Sequence, residues 1–246
     1  MRILLNGACG RMGAEVINSI NKEGSGCTLA GAVDKFAKTS DVLSSLSDFR
    51  GEADVIIDFS HFSATKEVTE YAVATGLPVI IATTGQGEDE MSLIKAASEK
   101  IPVFYSANMS LGVALLVELA KTAARAFPDA DIEIVEAHHN RKVDAPSGTA
   151  LMIADGIKEV RPDAVYNLGR SGTGKREKNE IGISAVRMGN IVGDHEVFVS
   201  TDTQTITLRH QAYSRALFAD GAVSAAKFIV GKPAGLYNMK SIVNEK

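Results

Sequence analysis

Ile3-Leu4-Leu5-Asn6-Gly7-Ala8-Cys9-Gly10-Arg11-Met12-Gly13, continued by Ala14-Glu15-Val16-Ile17-Asn18-Ser19-Ile20, is an apolar run, a glycine turn and a stretch with helical spacing. Large aliphatic residues bounded by turn residues suit a strand buried on both faces. A buried parallel strand that feeds a helix through glycines is the first unit of a dinucleotide-binding fold. The glycines have a mechanical purpose. Side chains in the turn would hold a pyrophosphate away from the backbone N–H groups that bind it, and a bulky third position would push the helix off the sheet. The spacing is Gly7-x-x-Gly10-x-x-Gly13, so Cys9 stands where the usual Gly-x-Gly-x-x-Gly pattern has its second glycine. Taken alone, such a pattern also fits a plain strand–helix turn.

Its context strengthens the nucleotide reading. Cys27–Val33 reads as a second strand and ends in Asp34-Lys35, where the motif expects a ribose-binding acid. Asp34 can accept hydrogen bonds from both ribose hydroxyls of NAD, and Lys35 can attract the 2′-phosphate of NADP. The pair points to a relaxed choice between NADH and NADPH, although Asp34 alone favours NAD. Strands at Asp54–Phe59, Pro78–Thr83 and Pro102–Ser106 alternate with helical patterns at Ala64–Gly76 and Glu88–Lys100, the signature of a doubly wound α/β unit. Residues 36–53 predict a short helix and loops without a clear placement. Ser60-His61 follows the third strand on the side where such sheets bind ligands, with His61 expected as a local hydrogen-bonding group.

The alternation stops near residue 109. A long helix from Ser110 to Phe127 precedes strands at Asp131–Glu136, Ile181–Arg187, His195–Ser200 and Thr205–Arg209, with one helix from Gly148 to about Val160. This predicts a second, α+β domain on a mixed sheet built mainly from antiparallel strands. Gly169–Lys178 is a glycine-rich basic loop that suits either a solvated connector or a lid over a dianionic substrate. Ser214–Val230 is again helical. We find no internal repeat and no low-complexity segment.

Composition narrows the class. With 246 residues the chain can bury a proper core, in one large domain or two modest ones. The formal charge of −4 lacks the basic excess of a dedicated nucleic-acid binder. No apolar run approaches the ~20 residues of a membrane helix. Met1-Arg2 runs straight into the glycine loop, which leaves no room for a signal peptide, so a cytoplasmic location is expected. Cys9 and Cys27 have neither metal-ligand nor disulfide spacing and are expected as packed, reduced thiols. No metal ligand set is visible.

The chemistry concentrates in Glu133-Ile-Val-Glu136-Ala-His138-His139-Asn140-Arg141-Lys142-Val-Asp144-Ala-Pro146-Ser147-Gly148-Thr149-Ala150. It opens as an alternating strand, breaks into a polar loop and closes on a helix start. A histidine exchanges protons near neutral pH, and a lysine four residues on adds a cation or second donor. Ser147-Gly148-Thr149 presents N–H groups at a helix N-terminus, where an anion such as a carboxylate is favoured. The plainer alternative is that His138 and His139 are strand-end residues and Ser147 or Thr149 only a cap.

Glu-Ile-x-Glu-x-His-His-x-x-Lys-x-Asp-x-Pro-Ser-Gly-Thr-Ala resembles the signature of the dihydrodipicolinate reductases, also called 4-hydroxy-tetrahydrodipicolinate reductases, of bacterial lysine biosynthesis. The resemblance extends to Gly7-x-x-Gly10-Arg11-Met12-Gly13, to Thr83-Thr84-Gly85, to Asn108-x-Ser110-x-Gly112 and to the Gly235-Leu-Tyr-x-Met239 ending. It implies reduction of a cyclic pyridine dicarboxylate to tetrahydrodipicolinate by NADH or NADPH. By position, His138 matches the family's catalytic acid/base and Lys142 its proton-donating or charge-stabilising partner. His139, Gly148 and Thr149 match its substrate ligands. Its cofactor contacts correspond to Gly7, Ala8, Cys9, Gly10, Arg11, Met12, Asp34 and Lys35, to Ala82, Thr83 and Thr84, and to Ser106, Ala107, Asn108 and Met109. Ala82 replaces the first glycine of the family's Gly-Thr-Thr-Gly loop. The resemblance also implies that the last helix returns to the nucleotide domain. Residues 1–108 completed by 214–246 would then enclose an inserted substrate-binding and oligomerisation domain, 109–213, with hinges near Asn108–Met109 and Tyr213–Ser214. Assembly as a homotetramer through the second sheet is part of the same expectation. Glu133 and Glu136 are expected to orient neighbours or pair with basic residues, and Asp144 to position the loop. A nicotinamide-binding regulator that kept the fold without the catalysis is the alternative, and intact His138 and Lys142 weigh against it. Aspartate dehydrogenases and other two-domain reductases could share the first hundred residues, but not the His-His-x-x-Lys segment.

Overall fold

The computed structural model describes residues 1–245; Lys246, the last residue of the expected return segment, lies outside them. The chain divides into two compact units, Met1–Leu111 with the segment from Arg215 onward, and Gly112–Ser214. In chain order the first unit contributes β1 (Arg2–Asn6), α1 (Arg11–Ile20), β2 (Thr28–Val33), β3 (Val55–Asp58), α2 (Thr65–Thr75), β4 (Val79–Ile81), α3 (Glu88–Ser98) and β5 (Pro102–Tyr105). The second holds α4 (Leu111–Ala126), β6 (Asp131–His138), α5 (Gly148–Lys158), β7 (Val165–Leu168), β8 (Glu180–Arg187), β9 (Gly193–Ser200) and β10 (Thr205–Ala212). Then α6 (Ala216–Ile229), β11 (Gly235–Tyr237) and α7 (Met239–Asn244) return to the first.

The first unit is built on a parallel six-stranded sheet of order β11-β5-β4-β3-β1-β2. Its central strands are unbroken aliphatic runs because helices cover both faces, and Ile3, Leu4, Leu5, Ile56, Ile57, Ile80 and Ile81 are all fully buried. The strand order reverses between β1 and β3, and ligands of such sheets bind outside the carboxyl ends of the strands at that point. The last helical segment packs on the first: Asp220 on α6 accepts from Ser19 Oγ at 2.7 Å and Lys22 Nζ at 2.5 Å. Two additions were not expected. β11 extends the sheet beside β5, and residues 36–53 form only a 3₁₀ turn at Leu46–Asp48 and a bridge from Leu43 to Val33, not a regular short helix. β11 is a partly exposed Gly-Leu-Tyr edge strand without the aliphatic run that marks the buried strands.

The second unit's sheet has the order β10-β9-β6-β8-β7. The expected predominance of antiparallel pairs needs correction: β10/β9 and β9/β6 are antiparallel, whereas β6/β8 and β8/β7 are parallel. The cause is the crossover β6–α5–β7, after which residues 169–179 carry the chain back so that β8 slots between β6 and β7 in the same direction. β7, a four-residue strand, was not anticipated. The basic loop is therefore a return connection. Arg176 anchors it to the starting ends of β6 and β8, bonding Asp131 at 2.9 Å, Glu133 at 3.2 Å and Glu180 at 3.4 Å. Arg170 pairs with Glu180 as well, and Lys178 with Asp129. Along β6 burial alternates, with Ile132, Ile134, Glu136 and His138 on the inner face. That face packs against Leu116, Ala120 and Ala124 of α4 and Ala150, Ile153 and Ile157 of α5.

Candidate active site

In the first unit a cleft of about 850 Å³ opens at the carboxyl ends of β1 and β3, lined by Gly7, Cys9, Gly10, Asp34, Lys35 and Ser60 among others. The glycine turn is built for close approach. Gly7 has φ +81°, and a Cβ there would meet the Phe59 carbonyl carbon and the Ser60 nitrogen at 2.6 Å. Gly10 precedes α1 as its cap residue, and no side chain caps the helix's first-turn amides. A pyrophosphate on that turn, with an adenosine beside Asp34, fits these residues. Asp34 is already engaged: its two oxygens accept the Cys9 N–H at 2.9 Å and the Phe36 N–H at 2.8 Å. Each carboxylate oxygen keeps a second lone pair for a ribose hydroxyl. Cys9 is exposed rather than packed, a correction that follows from its place on the cleft wall; Cys27 is buried, and both are free thiols.

Of the other residues expected at the nucleotide, Ala8, Arg11 and Met12 lie on the same turn and helix start but do not line this cleft. Ala82, Thr83 and Thr84 follow β4, and Ser106, Ala107, Asn108 and Met109 follow β5, so both groups sit at carboxyl ends of the same sheet. Met109, Ala82 and Thr83 are buried. Sequence reasoning missed the contributions of Phe36, Ser44, Ser63 and Glu67 to the cleft wall. His61 lines it too, and its Nδ1 caps the turn at Phe62–Ala64 by accepting the Ser63 N–H at 3.3 Å.

Asp58, at the end of β3, is fully buried. Burial pushes its carboxyl up to about 6, against the lowering effect of hydrogen bonds from Ser60 and Asn6.

In the second unit the histidine signature folds as a strand end, a loop and a helix start. His138 ends β6, and its Nδ1 lies 2.6 Å from Glu136 Oε2. Two residues apart on a strand, the two side chains share the inner face. Glu136 Oε1 accepts the Ser147 N–H at 2.9 Å, just ahead of α5. Arg187 of β8 closes a two-pronged pair on the same carboxylate, Nη1 to Oε2 at 2.8 Å and Nη2 to Oε1 at 2.7 Å. Burial alone would raise the Glu136 carboxyl, but hydrogen bonds from His138, Arg187 and Ser147 outweigh it and hold it near about 2.

Ser147 caps α5, its Oγ accepting the Ala150 N–H at 3.2 Å. Gly148 and Thr149 are the first two residues of α5. Gly148 is exposed and Thr149 half-buried. His139 follows His138, half-buried, and its carbonyl accepts the Lys142 N–H at 3.1 Å. Lys142 Nζ pairs with Asp144 Oδ1 at 2.8 Å, which holds the Asp144 carboxyl below its ordinary value. The Asp144 carbonyl accepts from Arg187 Nη2 at 2.6 Å, so Arg187 ties the loop to the sheet. His195 on β9 was not singled out from sequence. It is buried, bonds Ser147 Oγ at 3.1 Å through Nε2, and stands edge-on to the His138 ring at 5.1 Å. Burial, then the charge of His138, pushes it down to about 4.

Acid–base capacity, a cation and a helix N-terminus suited to a carboxylate thus occur within one hydrogen-bonded group. Two family models match the chain, described as dihydrodipicolinate reductase, N-terminus, over residues 1–109 and dihydrodipicolinate reductase, C-terminus, over 112–243. The chain is 46% identical to the 4-hydroxy-tetrahydrodipicolinate reductase of Caldanaerobacter subterraneus subsp. tengcongensis, covering 100% of this chain and 99% of that one. It is 43% identical to the enzyme of the same description from Clostridium tetani, over 99% and 97% of the two chains. Among solved structures, the dipicolinate-bound dihydrodipicolinate reductase of Paenisporosarcina sp. TG-14 shares the fold, with a TM-score of 0.78 at 24% identity over 97% of each chain.

Proposed function

The chain belongs to the dihydrodipicolinate reductase family, and from that membership we propose how its own residues divide the work. The reaction is the nicotinamide-dependent reduction of 4-hydroxy-tetrahydrodipicolinate to tetrahydrodipicolinate, in which a hydride and a proton are taken up and the 4-hydroxyl leaves as water, in lysine and diaminopimelate biosynthesis. The bound nucleotide supplies the hydride, which leaves binding, orientation and proton movement to the protein. Gly7, Ala8, Cys9, Gly10, Arg11 and Met12 hold the pyrophosphate, and Asp34 the adenosine ribose. Lys35 is exposed beside it and attracts a 2′-phosphate, so both NADH and NADPH are used. The segments Ala82–Thr84 and Ser106–Met109 hold the nicotinamide half.

On the substrate side, His138 exchanges the proton that accompanies the hydride. Lys142 donates or stabilises charge on the reduced ring, leaving Asp144 when the dianion binds. One carboxylate sits on the amides of Gly148 and Thr149, with His139 beside it. One observation carries this reading: buried Glu136 bonds both His138 and the Ser147 amide, so the acid–base group and the anion-binding turn are one unit.

The same reading extends to a cytoplasmic homotetramer. Outward residues of the second sheet mix apolar groups with ion pairs, such as Arg209 with Asp194 at 2.5 Å, and Val186 and Met188 are exposed. Such a surface suits pairing of copies through the sheet.

The test is steady-state oxidation of NADH and of NADPH by the full-length protein, with substrate made in situ by a coupled synthase. Turnover with both nucleotides is expected. A folded protein that bound nucleotide without turnover would instead be a nicotinamide-binding regulator.

A further inference from the structure

Alternation along β6 puts a glutamate on the strand's inner face, between the aliphatic Ile132 and Ile134 on one side and His138 on the other. A buried carboxylate is costly unless its lone pairs are filled. Here they are: each oxygen of Glu136 accepts two hydrogen bonds, from His138 and Arg187 on Oε2 and from Arg187 and Ser147 on Oε1. An ionised carboxylate only accepts, so the 2.6 Å contact requires that His138 carry its proton on Nδ1. We propose that Glu136, clamped by Arg187, is the positioning residue of this site: it fixes the His138 tautomer so that Nε2 exchanges the proton with substrate, and it seats the helix start that receives the substrate carboxylate. The inference rests on the reading of His138 given above.

The surroundings support this assignment. A Cβ added to Gly193 would lie 3.2 Å from His138 Nε2, so a glycine there keeps that nitrogen uncrowded. The charged and titratable groups facing the pair from the packed elements are Arg187 on β8, His195 on β9, His210 opposite it on β10, and the Lys142–Asp144 pair of the loop. Burial lowers both His195, to about 4, and His210, which favours their neutral forms. The fixed negative charge beside His138 is that of Glu136, balanced by Arg187. Glu136 also reaches the α5 N-terminus through the Ser147 N–H, so a shift of the carboxylate would move both halves of the substrate site together.

Full-length Glu136→Gln and Arg187→Lys test the proposal against the wild type. Glu136→Gln keeps size but loses the charge that favours the protonated ring. It is expected to lower kcat by about 100-fold with NADH affinity unchanged. Nitrogen NMR of histidine-labelled protein should show an Nδ1–H tautomer hydrogen-bonded to a carboxylate in the wild type and lose it in Glu136→Gln. Arg187→Lys retains the cation without the fork and should give a smaller loss of kcat with the tautomer retained. Wild-type kcat in Glu136→Gln, or a lower kcat with an unchanged tautomer, overturns the proposal. If Glu136→Gln does not fold, Arg187→Lys decides, and unaltered kcat in that variant refutes it. Absence of turnover in the wild type would sink the catalytic reading instead, separately from the tautomer.

Discussion

A methyl group on Gly13 would run into the carbonyl oxygens of Gly7 and Ala8, so the third glycine is required by the packing of α1 against its own turn. Gly13→Ala is expected to destabilise the protein by about 1–3 kcal/mol and to weaken nucleotide binding, which a melting curve and a fluorescence titration would register. Lys35 is a different kind of residue, an exposed charge whose effect is confined to a phosphate. Lys35→Ala should raise KM for NADPH about fivefold and leave KM for NADH nearly unchanged, as steady-state assays with the two nucleotides would reveal. Equal effects on both would remove Lys35 from the 2′-phosphate. At this scale the sequence was legible where the candidate site is a short run. Gly7 to Gly13 and His138 to Thr149 could be proposed together because they are neighbours in the chain. Arg187 and His195 were not, since each meets the signature only through strand pairing; Arg187 lies 51 residues from Glu136.

Strand periodicity explains which elements could be anticipated. β1, β3 and β4 are continuous aliphatic runs, and β6 and β9 alternate cleanly, so hydrophobic pattern marks them. β7 and β11 are edge strands with no buried residue, and they lack the continuous aliphatic run that marks β3 and β4 at the same length. The direction of β8 was hidden for another reason: it depends on the path of residues 169–179, which carry glycines and charges rather than periodicity. The inner face of β9 has a consequence for stability. His195 stays neutral in the folded protein down to about 4, whereas in the unfolded chain it titrates near 6.5. As pH falls through that interval the unfolded chain takes up a proton that the folded chain refuses, so stability present above 6.5 is lost progressively toward 4. Asp58 works in the opposite direction. Its carboxyl is raised from 3.8 to about 6, so its stabilising share is present at low pH and is lost as pH rises through 6. Comparing urea midpoints of wild type and His195→Gln across this range cancels the Asp58 share. The stability advantage of wild type over the variant is expected to shrink as pH falls from 6.5 toward 4, and parallel curves would contradict the assignment.

Across the whole molecule, we propose that the two units carry separate tasks. The parallel sheet of the first offers a glycine turn, an acidic strand end and a cleft at its carboxyl edge. The mixed sheet of the second delivers histidine, lysine and a capped helix start to one end of β6. The split explains why nucleotide affinity and turnover should be separable by mutation. The most direct measurement is therefore the turnover of full-length Lys142→Ala beside the wild type, with NADH affinity measured independently for each. A loss of kcat of about 100-fold or more, with NADH affinity held within about a factor of two, is expected of a residue that serves the proton and charge balance of the reduction. Near-normal turnover in Lys142→Ala would contradict that role and, with it, the division of labour between the two units.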